Sequence, residues 1–109
     1  MTQFDPGLLR HRVELQQLAG TSDGSGGETI DWATVATIWA RIDPVGASEQ
    51  AIAGHLATVA THKITIRWRD DVTGGMQIVF RGRHFRVLAL FDPDERQRYL
   101  NLLTEEKKP

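Results

Sequence analysis

The side chains of this chain able to do chemistry are four histidines, a few carboxylate clusters, scattered serines and a wide spread of arginines. His11, His55, His62 and His84 stand in no HExxH or similar close pair, and a metal site needs three or four convergent ligands with supporting hydrogen bonds. They read as ordinary semi-buried or surface residues. Asp92, Asp94 and Glu95 are spaced for a helix cap rather than for the alternating oxygen ligands of a calcium loop. Asp70 and Asp71 sit where a hairpin turn is expected, and turn formation explains them. Ser22, Ser25 and Ser48 have no histidine in a motif and form no nucleophile elbow. Gly24, Gly26 and Gly27 precede no Lys and open no strand-to-helix phosphate loop. Nothing in these patterns argues for catalysis, and no cofactor or metal is expected.

The arginines carry more information. Residues 61–69, THKITIRWR, place His62, Ile64, Ile66 and Trp68 on one face of an extended strand and Thr61, Lys63, Thr65, Arg67 and Arg69 on the other. One face is core. The other adds to a set of cations spread over nearly every strand, which includes Arg10, Arg12, Arg41, Arg81, Arg83, Arg86, Arg96 and Arg98. A binding helix or tail would gather its cations in one place. The bland reading is a set of solvated outer faces balanced by acids; the functional one is bidentate pairing with carboxylates of a neighbouring subunit. Trp39 points away from Ile38 and Ile42, toward an interface, whereas Trp68 lies on an apolar face and reads as core.

The 109 residues suffice for one compact domain. Thirteen basic and 14 acidic side chains leave a formal net charge of -1, so bulk charge does not favour sequence-independent phosphate gripping. Without cysteine there is no disulfide, thiolate ligand or thiol nucleophile, and a reducing compartment is compatible. No stretch approaches the roughly 18 apolar residues of a membrane span, and the amino terminus lacks a secretory pattern. The expectation is a chain made and used in solution, with no membrane partner.

Short alternating runs separated by turn residues predict a mainly β domain. A strand is expected over Leu9–Leu18, with His11, Val13 and Leu15 inward and Arg10, Arg12, Glu14 and Gln16 outward. A long mobile Gly/Ser-rich hairpin tip follows over 19–31. The next strand spans residues 34–45 and ends at Pro44, which cannot donate to a ladder. Residues 46–60 read as an inserted loop and short helix, capped by Ser48 and weakened by Gly54. After residues 61–69 come MQIVF, a tight junction through Arg81, Gly82 and Arg83, and RHFRVLALF. Asp92, Pro93 and Glu95 predict one helical turn. A last strand is expected over RYLNLLTEE, with its end and the following KKP, residues 105–109, expected to fray. Six short strands with one inserted helix suggest a small β-barrel or sandwich, because closure removes exposed edges.

In order and spacing the chain resembles the head-closure, or head-tail adaptor, proteins of long-tailed bacteriophages and related gene transfer agents. GLLRHRVELQ, the Gly-rich tip followed by Trp32, IWARIDPV, and the run from Ser48 to Leu103 carry the resemblance; Gln77 stands where that family often has a basic residue. The resemblance implies a small barrel that forms a ring below the portal and adaptor, closes the DNA-filled head and offers the tail a docking surface. It implies a virion-neck location after synthesis in the bacterial cytoplasm. It implies a hexamer or dodecamer in the particle, a monomer in isolation, and the portal or adaptor and the tail terminator or tube as partners. Double-stranded DNA would pass through the lumen without sequence recognition. On this reading the subunit interface draws on Arg10, Arg12, Trp39, Arg41, Lys63, Arg67 and Arg69. Mobile docking or channel loops are expected at Asp23, Gly24, Ser25, Gly26 and Gly27, and at Ser48, Glu49 and Gln50. The amino-terminal arm, residues 1–8, would embrace a neighbour. The alternatives are a tail-completion or terminator protein, a stand-alone nucleic-acid-binding barrel, and a small enzyme on a barrel scaffold.

Overall fold

The computed structural model describes residues 9–22, 24, 26–45 and 60–107. The arm at 1–8, Asp23, Ser25 and most of the insert, including its expected helix and Ser48, Glu49 and Gln50, lie outside the described residues.

Six antiparallel strands form a closed barrel: β1 (His11–Ser22), β2 (Glu28–Pro44), β3 (His62–Arg67), β4 (Gln77–Phe80), β5 (Arg83–Phe91) and β6 (Tyr99–Lys107). Their order around the wall is β1-β2-β3-β6-β5-β4, with β4 returning to β1. The expected barrel is therefore found, and among the described residues there is no helix. Alternation places Val13, Leu15, Ala40, Ile64, Ile66, Ile78, Phe85, Val87, Leu100 and Leu102 inside, where nearly all are fully buried. Trp68 packs against this core, as its face predicts. Side chains fill the interior, as in other small barrels, so the barrel is a packed core and not a pore.

The seam between β1 and β4 is the shortest, with three paired rungs from Glu14↔Val79 to Gln16↔Gln77. Gln77 Nε2 donates to Gln16 Oε1 at 2.6 Å across it, and Gln16 Nε2 donates to Thr34 Oγ1 at 3.3 Å. Gln77 is only 6% exposed, and its neutral amide fits a position where an ammonium or guanidinium would lose its hydration.

Three expectations about local structure change. Residues 19–31 are not one loop: β1 and β2 stay paired from Ala19↔Asp31 to Ser22↔Glu28, which leaves only residues 23–27 as the tip. Thr21, Thr29, Ile30 and Trp32 are strand formers, and they extend the ladder past the glycine-rich composition. Residues 92–98 are not a helical turn either. Asp92 does act as a cap, accepting from the backbone N–H of Asp94 at 3.3 Å and of Gln97 at 2.7 Å. Glu95 and Gln97, however, both have φ of 57°, a left-handed conformation that breaks the helical path. At the carboxyl end, β6 runs through Lys107 opposite His84, secured by a bidentate Arg83–Glu106 pair at 2.8 and 3.0 Å, so the ladder includes the first part of the expected tail. The junction of β4 and β5 is as tight as expected. Arg81 and Gly82, at φ of 50° and 79°, form a two-residue turn of the kind whose twist matches a hairpin.

Candidate interaction surface

The β1–β2 pair does two jobs along its length. Near the barrel it is wall. Beyond Gln16, where β4 stops pairing, it continues as a free two-stranded ribbon, and the molecule measures 56 Å in its longest direction against 28 and 26 Å in the others. A β-bulge between Leu15 and Gln16 marks the change: Leu15 pairs with Ala36 and Gln16 with Thr34, leaving Val35 as the extra residue.

Paired rungs share a face. On the outer face of the ribbon Leu18 therefore lies beside Trp32, and Gly20 beside Ile30. Leu18 is 54% and Ile30 65% exposed, and no barrel strand covers them. On the opposite face are Gln17, Ala19, Ala33 and Asp31, whose carboxylate accepts from the Trp32 backbone N–H at 2.8 Å. The sequence reading missed this apolar stripe by treating the segment as loop. The signal was there in the alternation of Ile30 and Trp32 opposite Leu18.

On the barrel wall the expected interface cations divide into two kinds. Arg41 is tied to Asp43 at 2.8 Å, and Arg69 holds Asp71 through two bonds of 2.9 and 2.8 Å. This pairing raises the Arg69 pKa and lowers that of the Asp71 carboxyl. Lys63 is half-buried between Asp43 and Leu103 on the neighbouring strands, and Arg10 is exposed just before β1. Arg12 and Arg67 differ. Arg12 stands opposite Trp39, with its guanidinium 5.1 Å from the centre of the indole. Arg67 follows Ile66, the partner of Ala40, so the same register carries it to the other side of Trp39, with Tyr99 beyond it on β6. Among the described residues neither Arg12 nor Arg67 has an acidic partner. Trp39 itself is 49% exposed. The result is a cation–aromatic–cation row across three strands.

The barrel has two unlike ends. The ribbon rises at one, together with the loop holding Arg69 and Asp71 and the turn where Arg98 pairs with Asp94. Val72 and Met76 plug that end from inside. At the other end His62 is packed edge-on against Phe85, with ring centres 5.1 Å apart, and its Nδ1 lies 2.9 Å from Thr61 Oγ1. Burial lowers the His62 pKa; Glu106 opposes that shift and Arg83 adds to it. Gly24 and Gly26, in the tip between β1 and β2, take φ of 80° and 82°, which a side chain would strain. Among the described residues no three His, Asp or Glu side chains converge on a metal position.

A filled barrel, cations tied to acids on much of its wall, and apolar groups displayed on an outer row and a projecting ribbon define a protein whose chemistry lies on its surface. The phage head completion protein family matches residues 4–107, and the chain belongs to that family, one of structural virion proteins rather than enzymes. The solution structure of protein SF1141 from Shigella flexneri 2a is similar, with 28% identity and a TM-score of 0.80 over 94% of this chain and 96% of that one. A chain in the virion of a native gene transfer agent particle has the same fold, with 24% identity and a TM-score of 0.62 over 90% of this chain and 94% of that one. No curated protein matches this chain.

Proposed function

We propose that this virion protein is a connector at the head–tail joint, forming a ring below the portal or adaptor that closes the DNA-filled head and gives the tail its docking surface. The observation that carries this reading is the Arg12–Trp39–Arg67 row: an exposed indole under the Arg12 guanidinium, with Arg67 at the adjoining position of β3 and no acid partner for either arginine among the described residues, suits a protein partner offering carboxylates and apolar surface. Family membership over residues 4–107 supports the setting.

Because each barrel is filled, a passage for double-stranded DNA would lie between copies and not through one. A net charge of -1 suits a lumen along which DNA slides without being held. The tip at 23–27 and the insert at 46–60 would then serve as the docking and channel-facing loops, and the arm at 1–8 would embrace a neighbour.

Electron microscopy of particles assembled with and without the chain tests this. Heads that lose DNA and fail to join tails in its absence, with a ring of density at the neck in its presence, are expected. Intact heads with malformed tails would move the protein to the tail side, as a completion or terminator protein. Unaffected particles would overturn the connector reading. The exposed Trp39 flanked by arginines also favours a second reading, a single-strand-binding barrel; there, affinity for oligonucleotides would fall steeply with salt.

A further inference from the structure

The ribbon and the wall are complementary in both polarity and charge. The stretch from Val13 through Ala40 holds no basic residue and four acidic ones, Glu14, Asp23, Glu28 and Asp31, so the segment as a whole is acidic, although the Asp31 carboxylate lies on the ribbon's opposite face. The ribbon lies within that stretch and presents Leu18, Ile30 and Trp32 on one face. The wall row offers the opposite combination, Trp39 with two guanidinium groups that have no acid among the described residues. We propose that the ribbon of one copy of this chain docks by its Leu18–Trp32–Ile30 face across the Arg12–Trp39–Arg67 row of the next copy.

The ribbon cannot satisfy its own wall. Ile30 and Trp39 lie on one continuous strand, and at about 3.3 Å per residue they are held roughly 30 Å apart. Pairing two ribbons face to face would cover the apolar stripes but set acidic segment against acidic segment. Ribbon onto wall joins unlike patches, so the contact is head-to-tail and repeats from copy to copy until the rotation closes. The inference rests on the ring reading and gives that ring its subunit contact.

The absence of native cysteine makes a cross-linking test clean. Copies carrying Ile30→Cys are mixed at high concentration with copies carrying Arg67→Cys and oxidised, after circular dichroism has checked that both are folded. A disulfide needs Cα atoms about 4.4–6.8 Å apart, so none can form between these positions within one chain. The expected product is the Ile30→Cys/Arg67→Cys heterodimer, exceeding either homodimer by roughly tenfold because docking raises the local thiol concentration. An Arg86→Cys copy, altered on the far side of the barrel, should cross-link to Ile30→Cys only at the background level. Equal yields for all pairs, or a dominant Ile30→Cys homodimer, would overturn the docking.

The doubly substituted chain, incorporated into particles, separates the two claims. A covalent ladder of copies at the neck supports both. Neck density without a ladder leaves the ring standing and rejects this contact. Absence of neck density with the unsubstituted chain rejects the ring itself.

Discussion

The barrel and the ribbon are made from the same two strands, yet their apolar residues meet opposite fates. Val13 and Leu15 of β1 are buried to within 1% of complete, while Leu18, three residues further on, is more than half exposed. Nothing in side-chain type distinguishes them. What differs is the face each occupies: alternation along β1 turns Val13 and Leu15 into the barrel and Leu18 outward, and β4 pairs with β1 only as far as Gln16. Beyond that point, past a bulge at Val35 of β2, the pair leaves the barrel as a ribbon whose outward face carries an apolar stripe. An exposed stripe of this kind, rimmed by polar residues, marks an interaction surface.

That contrast predicts effects of very different size. Phe85→Ala, in the middle of the core, should cost about 3–5 kcal/mol in urea unfolding, a large share of a small domain's stability. A loss below about 1 kcal/mol would mean that the barrel interior is loosely packed. Gln77→Ala at the short seam should cost about 1–3 kcal/mol, because Gln16 loses its partner in a nearly buried bond. If the barrel tolerates this change with no shift in midpoint, the seam is held by its backbone rungs alone.

A smaller effect should follow from pH. Burial holds the His62 imidazole below its ordinary pKa, so as pH falls through 6.5 the folded state takes up less of the proton than the unfolded chain does. The unfolded state then binds more protons, so the His62 contribution is complete above pH 6.5 and is lost as pH falls toward the lower folded pKa. His62→Gln should flatten that part of the urea-midpoint profile, and an unchanged slope would assign it to another group. The smallest effect on folding belongs to the ribbon. Ile30→Ser should change stability by no more than about 0.5 kcal/mol, because the side chain is already in water. The same substitution should impair incorporation into particles, whereas Phe85→Ala acts on assembly only through folding.

Much of the barrel was legible from sequence. Residues 61–69 sorted Ile64 and Ile66 inward and Arg67 outward, and the tight turn at Arg81-Gly82 followed from residue type. The Asp92 turn was only partly legible: its capping carboxylate fitted the sequence, but the left-handed backbone at Glu95 and Gln97 did not, since nothing in those side chains demands it. The ribbon was hidden by composition, because glycine and serine around residues 20–27 outweighed Thr29, Ile30 and Trp32 in the reading of that segment. The expected interface arginines were identified by type alone. Their division into Arg41 and Arg69, each paired with an acid of the chain, and Arg12 and Arg67, which have no acid partner among the described residues, depends on which acids stand within reach.

By itself, the sequence determined strand content, the inward set of side chains and the near-balance of charge, because pleat alternation and residue type are local properties. Only the tertiary structure decided where β4 stops pairing, how far the ribbon projects beyond the barrel, and which arginines stand beside Trp39. Those outcomes depend on the register between strands distant in the chain, and a shift of one residue would exchange the two faces.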